Sequence, residues 1–263
     1  LRSTRSLWDS TYVDESWIGE AVRLIPRMKD WANTHYPGTK TAITEYNWGG
    51  HEHINGALAQ ADVLGIFGRE GLDLATLWDP PEIAEPCTFA FRMYRNYNGS
   101  GGRFGQTAVN ATSAEQSKVS VYAARRSGGG DNALTVILIN KDVGDLTSAL
   151  TISNFGLNGS SVAQAYRYSG ANLSQIVPLP NLNVPNGTAS LALPGSSITL
   201  LVVPNPVPLC PADIDHSGAV NINDLLLVVA NWGGPGSNGA DVNGDGTVNI
   251  QDLLAVVAAW GQC

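Results

Sequence analysis

Charge is scarce in this chain. Only 14% of its 263 residues are Asp, Glu, Lys or Arg, and 23 acidic residues outnumber 15 basic ones, for a formal net charge of −8. No basic face can be assembled from so few cations, which argues against nucleic acid as a partner. Long apolar runs are missing as well; a bilayer-crossing helix needs about 18 or more such residues in a row, so no membrane span is expected. The sequence starts at Leu1 with neither an initiator methionine nor a signal peptide, and the expectation is that an N-terminal part has been lost. What is plentiful is Gly, Ser, Thr and Asn, which suits a secreted, extracellular protein rich in strands and loops. With 43% hydrophobic residues the chain can pack two or more domains.

Two C-terminal stretches, 213–224 and 241–252, repeat one pattern 28 residues apart. The first places Asp213, Asp215, Ser217, Asn221 and Asp224 at positions 1, 3, 5, 9 and 12; the second places Asp241, Asn243, Asp245, Asn249 and Asp252 there, and both have glycine at position 6. This is the oxygen ladder of an EF-hand-type loop. A hard cation takes about six to eight oxygen ligands, and glycine permits the tight turn between them. Nearly identical apolar runs follow, Leu225–Gly233 and Leu253–Gly261, each ending Trp-Gly. The repeating unit is therefore a loop plus a helix, and two matched copies predict a module holding two Ca²⁺ ions. Cys210 and Cys263 bracket it; a disulfide closing the module is the preferred reading and two free thiols the alternative. Cys87, among apolar residues, reads as an unpaired core thiol.

The duplicated loop-helix unit, with Asp rather than Glu at position 12, resembles a type I dockerin over roughly residues 207–263. The resemblance implies a small all-α module built around two calcium ions, with the ten residues above as ligands, that attaches polysaccharide-degrading enzymes to cohesin domains. Ser217 is a neutral ligand where the second loop has Asp245, so the first site is expected to be the weaker. Ile222-Asn223 and Ile250-Gln251 stand where well-studied dockerins carry a small hydroxyl pair that helps recognise cohesin.

Upstream, residues 104–204 read as short alternating strands separated by turn residues: Val119–Arg125, Ala133–Lys141, Ala149–Phe155, Val162–Ser169, Thr188–Leu193 and Ser197–Val203, with a hairpin turn at 128–132. This predicts an antiparallel β-sandwich. A Pro-rich stretch, taken as linker 205–209, joins it to the module at 210–263 as a stiff spacer. Residues 1–103 differ. Trp17, Ala21, Leu24, Ile25, Met28, Trp31 and Ala32 recur at helical spacing, with Pro26 expected to bend the helix. A strand over Lys40–Thr44 follows, then a helix marked by Leu58, Ala61, Leu64 and Phe67 and closed by Gly71, a strand Leu72–Trp78, and a helix Thr88–Tyr97. This α-β-α-β-α order implies a parallel sheet with helical crossovers, and two strands read as the C-terminal remnant of a (β/α)₈ barrel.

In such a barrel, chemistry sits at the C-terminal ends of the strands. The first strand delivers Glu45, Tyr46 and Trp48, the second Trp78 and Asp79. A carboxylate can attack an anomeric carbon while aromatic faces stack on pyranose rings. A strand-end glutamate also serves as an ion-pair partner or cap, and a tryptophan there can simply close the core. The segments 6–17, Ile43-Thr44-Glu45-Tyr46-Asn47 and Ala59-Gln60-Ala61-Asp62 are similar to glycoside hydrolase family 44. That resemblance, over residues 1 to about 204, implies a retaining endo-β-1,4-glucanase, several members preferring xyloglucan, with Glu45 as nucleophile and Trp78 stacking at the cleavage point. The family's acid/base glutamate lies on a fourth barrel strand that these residues do not include. Glu52 and Asp79 are the nearest alternatives in sequence, and the 263 residues alone are expected to be inactive. His51 and His53 read as loop residues rather than metal ligands.

Three kinds of protein fit these readings. One is part of a secreted, dockerin-anchored hydrolase of β-glucan or xyloglucan. Another is a non-catalytic, calcium-dependent binder of carbohydrate or cohesin, and the third a calcium-stabilised surface protein.

Overall fold

The computed structural model describes residues 1–127, 132–205, 210–215, 217–236 and 238–261. The turn read at 128–132 and the Pro-rich linker fall largely outside them, as does Cys263, the expected partner of Cys210. Two compact units emerge, Leu1–Pro204 and Asn205–Cys263.

The first unit opens with a 3-10 turn, Arg2–Leu7, followed by α1 (Leu24–His35), β1 (Ala42–Tyr46), α2 (Ile54–Glu70), β2 (Leu74–Leu77) and α3 (Pro86–Arg95). β1 and β2 form a parallel pair. Eight further strands follow: β3 (Thr107–Val109), β4 (Val119–Arg126), β5 (Ala133–Asn140), β6 (Leu146–Thr151), β7 (Val162–Ser169), β8 (Asn172–Asn183), β9 (Thr188–Leu193) and β10 (Ser197–Pro204). Six of them form an antiparallel sheet in the order β3-β4-β5-β10-β7-β8, and β6 pairs with β9.

α2 positions everything around it. Ala57, Leu58, Ala61, Val63, Ile66 and Phe67 are buried, so the helix is apolar nearly all round, as a helix enclosed by protein must be. It ends where Gly71 adopts φ 65°, and the Leu72 amide donates back to the Phe67 carbonyl at 3.0 Å, the six-to-one bond of a glycine cap. The core it builds runs without a break from Ile43, Tyr46, Ala75 and Leu77 of the parallel pair to Tyr122, Ile137, Ile139, Ile198 and Leu200 of the large sheet. The boundary read near residue 104 is thus crossed by one shared core. On the sheet's opposite face a second cluster joins Val136, Leu138 and Leu201 to Leu191 and Leu193 of β9. β5 is consequently buried along its whole length.

A polar knot lies inside the first core. Asp62 of α2 is 1% exposed and accepts hydrogen bonds from the Thr4 hydroxyl at 2.6 Å and the Tyr122 hydroxyl at 2.7 Å. The Lys141 ammonium lies 3.6 Å from it, its side chain 5% exposed. Burial lowers the Lys141 pKa, and Asp62 opposes the shift.

Two departures from the sequence reading have simple causes. α1 begins at Leu24, leaving Trp17 95% exposed outside it. Pro26 falls in the helix's first turn, where a missing N–H costs nothing, so it starts the helix instead of bending it. β8 was not anticipated because Pro178 and Pro180 interrupt its pattern. It is the sheet's edge strand, where proline is tolerated.

The second unit contains α4 (Ile222–Ala230) and α5 (Ile250–Ala258). Its core is itself duplicated: Ala212, Val220 and Val228 are buried with Ala240, Val248 and Val256. The halves are cross-linked. After α4, the Gly233 amide donates to the Val248 carbonyl at 2.8 Å; after α5, the Gly261 amide donates to the Val220 carbonyl at 2.8 Å. Both acceptors occupy position 8 of their loops.

Candidate functional site

The parallel pair carries a local irregularity. Ile43 pairs with Ala75 and Tyr46 with Leu77, so Thr44 and Glu45 on β1 stand opposite Thr76 alone on β2. This is a β-bulge, braced by the Thr76 hydroxyl donating to the Thr44 carbonyl. Its effect is directional. In an unbroken strand Glu45 would share the helix-facing side with Ile43. The extra residue instead sends both Ile43 and Tyr46 into the helical core and leaves Thr44 and Glu45 exposed. On β2, Ala75 and Leu77 pack against the same core while Leu74, Thr76 and Trp78 are exposed, Trp78 at 68%. The Trp78 amide donates to the Tyr46 carbonyl at 2.9 Å, which fixes the two strand ends side by side. Glu45 and Trp78 therefore share an open face at the C-terminal end of the pair.

The flanking aromatics are employed otherwise. Tyr46 is 8% exposed, edge-to-face with Phe67 at 5.2 Å, and its hydroxyl accepts from the Gln60 side-chain amide at 2.9 Å. Burial raises its pKa. A ring so enclosed supports β1 from behind and offers no face to a ligand. Trp48 is half-buried and donates its indole N–H to the Ser3 hydroxyl at 3.1 Å, tying the strand end to the N-terminal turn. The Asn47 side-chain oxygen accepts from the Gly49 amide at 2.6 Å and lies 3.2 Å from His51 Nε2, while Glu52 lies 3.3 Å from His53 Nε2. Asp14 accepts from the Ser16 amide at 2.9 Å within a loop that precedes α1.

The two acidic loops repeat their hydrogen bonds almost atom for atom. Gly218 and Gly246, at position 6, adopt φ 93° and 92°, and their amides donate to Asp213 and Asp241 at 2.8 Å. At position 12, Asp224 accepts from the Asp215 and Asn221 amides at 3.0 and 2.9 Å; Asp252 accepts from the Asn243 and Asn249 amides at 3.1 and 2.8 Å. Asn221 and Asn249 accept from the Asn223 and Gln251 amides at 2.9 and 2.7 Å, completing capping boxes on α4 and α5. Loop positions 9 and 12 thus start the helix as well as facing the loop. Burial pushes the Asp252 carboxyl up, but backbone N–H groups of Asn249, Asn243 and Val242 outweigh it and leave the pKa below its ordinary value. At Asp215 the Ser217 side chain is the largest influence and, with the Ser217 amide, holds the pKa below its ordinary value. Asp213, Asp215 and Asp224 bring carboxylate oxygens within 4.8 Å of one another, an all-oxygen set suited to a hard cation. Among the described residues no equivalent group of three forms in the second loop, where the Asn243 and Asn249 side-chain amides donate to Asp245 at 3.0 and 3.3 Å. Each loop carries three carboxylates, and their convergence favours the first.

Sequence reasoning missed the bulge that aims Glu45. Its only trace is a strand whose buried residues, Ile43 and Tyr46, are three apart instead of two.

Comparison with known proteins separates the two units in the same way. The family model of the dockerin type I domain matches residues 211–259. Endoglucanase A of Paenibacillus lautus is 33% identical over 208 residues, covering 77% of this chain and 29% of the relative. A bifunctional glucanase-xylanase from a metagenome library is 50% identical with a TM-score of 0.73, over 78% of this chain and 38% of that one. A family 44 endoglucanase from Clostridium thermocellum is 33% identical with a TM-score of 0.70, over 77% and 40%. The chain spans less than half the length of each of these three proteins. Its first unit is similar to part of the glycoside hydrolase family 44 endoglucanases, and residues 211–259 of its second match the dockerin type I domain.

Proposed function

We propose that these residues belong to a secreted, retaining endo-β-1,4-glucanase or xyloglucanase in which Glu45 is the nucleophile and Trp78 stacks on the sugar at the cleavage point. The observation that carries this reading is the bulge in β1. It costs a ladder position, and while it seats Tyr46 in the helical core it also turns one carboxylate from the helical shell to the open face beside an exposed indole. Glu45 attacks the anomeric carbon to form a glycosyl-enzyme ester, and the leaving oxygen takes its proton from a second carboxyl. A retaining site sets the two carboxyls about 5–5.5 Å apart. Glu52 lies beside His53 and Asp79 sits in the loop after β2, so neither is assigned that part. The 263 residues by themselves are accordingly expected to release no reducing sugar from xyloglucan or carboxymethyl cellulose.

The second unit is read as a calcium-folded anchor for a cohesin partner. Asp213, Asp215, Ser217, Asn221 and Asp224 would hold one ion, and Asp241, Asn243, Asp245, Asn249 and Asp252 the other. Bound calcium would neutralise the gathered carboxylates. Ile222 and Ile250, each 54% exposed at the start of α4 and α5, are available to such a partner.

A chimera tests the catalytic assignment. Residues 1–204 replace the matching part of the metagenome glucanase-xylanase, 50% identical to this chain. The chimera should hydrolyse β-glucan, and Glu45→Gln should lower kcat by at least about 10³-fold, since loss of a nucleophile removes most of the covalent route. An active Glu45→Gln chimera would reject the assignment.

A further inference from the structure

A groove runs between α3, the loop after it and the edge strand β8. It consists of two adjoining hollows of about 570 and 430 Å³ that share Phe89, Arg92 and Ser174. Each is of the size that small-ligand sites have. On β8 the lining extends from Leu173 to Pro178, which at about 3.3 Å per residue makes a trough roughly 17 Å long. None of the lining residues belongs to the face that carries Glu45 and Trp78.

The loop after α3 presents donors. Asn96 and Asn98 spend their side-chain oxygens on the loop itself: Asn96 accepts from the Gly101 amide at 2.7 Å, and Asn98 from the Ser100 and Gly102 amides at 2.9 and 2.8 Å. Both residues are exposed, so the Nδ2 ends that these bonds leave over are within a ligand's reach. Gln175, exposed on β8, makes no side-chain hydrogen bond among the described residues and has both a donor and an acceptor to offer. Arg92 is half-buried above the Phe89 ring, 4.7 Å from its centroid, and donates to the Ile83 carbonyl at 3.2 Å.

Beside these groups lies ring surface. Tyr166 and Pro178 stand opposite each other in the β7–β8 ladder, so their rings adjoin on one face of the sheet. Tyr166 is half-buried and backed by Tyr97 at 4.7 Å, and Tyr97 is itself fixed, its hydroxyl accepting from Arg126 at 2.7 Å. No Asp or Glu lines either hollow. Uncommitted side-chain amides beside a ring platform match a neutral polyhydroxyl ligand, whose hydroxyls both give and take hydrogen bonds while the C–H face of a pyranose lies on the ring.

We propose that the α3–β8 groove is a second saccharide site, taking an oligosaccharide stretch of a β-1,4-glucan with one pyranose on Tyr166 and Pro178 and its hydroxyls bonded to Asn96, Asn98 and Gln175. The groove's chemistry points to a saccharide; the choice of a β-1,4-glucan among saccharides rests on the glucanase reading above. Such a site holds polymer without cutting it.

The test titrates the 263-residue chain with cellohexaose, and with maltohexaose as its α-linked counterpart, by calorimetry and by backbone amide shifts in NMR. Cellohexaose should bind saturably, more tightly than maltohexaose, and shift amides within 92–98 and 173–178. Gln175→Ala removes one hydrogen bond and should weaken binding about three- to tenfold. Tyr166→Ala removes the platform and should weaken it at least about tenfold. Because Tyr166 also packs on Tyr97, its variant is read only with its fold confirmed by circular dichroism; Gln175 is exposed and unbonded, so its arm stands by itself. In Trp78→Ala the groove amides should saturate at the same cellohexaose concentration as in the parent. Absence of saturable cellohexaose binding, a preference for maltohexaose, or groove shifts that vanish in Trp78→Ala yet persist in Gln175→Ala would overturn the proposal. The role of Glu45 is judged by hydrolysis in the chimera, so the two readings fail separately.

Discussion

Asp62 is the acceptor on which the first core converges, and its removal gives a sharp test of how that core is held. Asp62→Ala strips the partner from Thr4 and Tyr122 and strands the Lys141 ammonium, whose side chain is 5% exposed. Breaking a buried pair by deleting one member costs about 3–5 kcal/mol, most of it the uncompensated charge left behind. For a unit of this size each kcal/mol shifts Tm by about 2–4 °C, so a fall of about 6–20 °C is expected. A ceiling is built in. Burial already lowers the Lys141 pKa against the pull of Asp62; without Asp62 it falls further, at about 1.4 kcal/mol per unit, until the amine sheds its proton. The sign of the pH dependence follows. Between the depressed folded pKa and the unfolded value near 10.4 the unfolded state binds more protons, so stability rises with pH across that window, over a wider range in the variant than in the parent. Urea unfolding at a series of pH values measures both effects. Asp62→Ala with Lys141→Met, which removes the stranded charge, should recover most of the loss. An Asp62→Ala stability within about 1 kcal/mol of the parent, or a double variant no better than the single, would refute the reasoning.

Three further outcomes are expected. Gly56→Ala places a Cβ 2.0 Å from the Gly50 carbonyl oxygen, with backbone on both sides, and should cost at least the upper part of the usual overpacking range of about 1–3 kcal/mol by denaturant unfolding. Burial pushes the Asp9 carboxyl up, but bonds from Thr11 and Arg5 outweigh it and depress its pKa; its stabilisation is then present above the unfolded value near 3.9 and lost as pH falls through the lower folded value, so Asp9→Asn should flatten the acid limb of the stability curve. Chelating calcium should abolish the helical circular dichroism of the isolated 205–263 segment, and Asp224→Ala or Asp252→Ala should raise the calcium needed to restore it at least tenfold; a segment that stays helical in chelator would overturn the calcium reading.

The parts that were legible in the sequence are those whose physics is local. The two acidic loops could be read because the spacing of their oxygen side chains, the turn glycine and the helix start all lie within twelve consecutive residues, as the positive φ of Gly218 and Gly246 reflects. α2 was legible from its apolar spacing and its closing Gly71. Glu45 can be singled out at the strand's end but its exposure on the open face cannot, because a bulge is a property of two paired strands and β2 lies about thirty residues further along. Tyr46 shows the same limit: beside a strand-end carboxylate an aromatic reads as a sugar platform, and only the packing of Phe67 and Gln60 shows it facing inward. β8 was invisible because proline carries opposite meanings at the edge and the middle of a sheet.

The crossed glycine bonds of the second unit have a consequence for how such a unit can arise or be trimmed. Gly233 fastens the loop of the later repeat and Gly261 that of the earlier one, like two straps each buckled on the other's side. A single 28-residue copy would lack its own fastening, so each repeat takes part of its hold from the other. Clipping the last few residues should loosen the loop furthest from them in sequence.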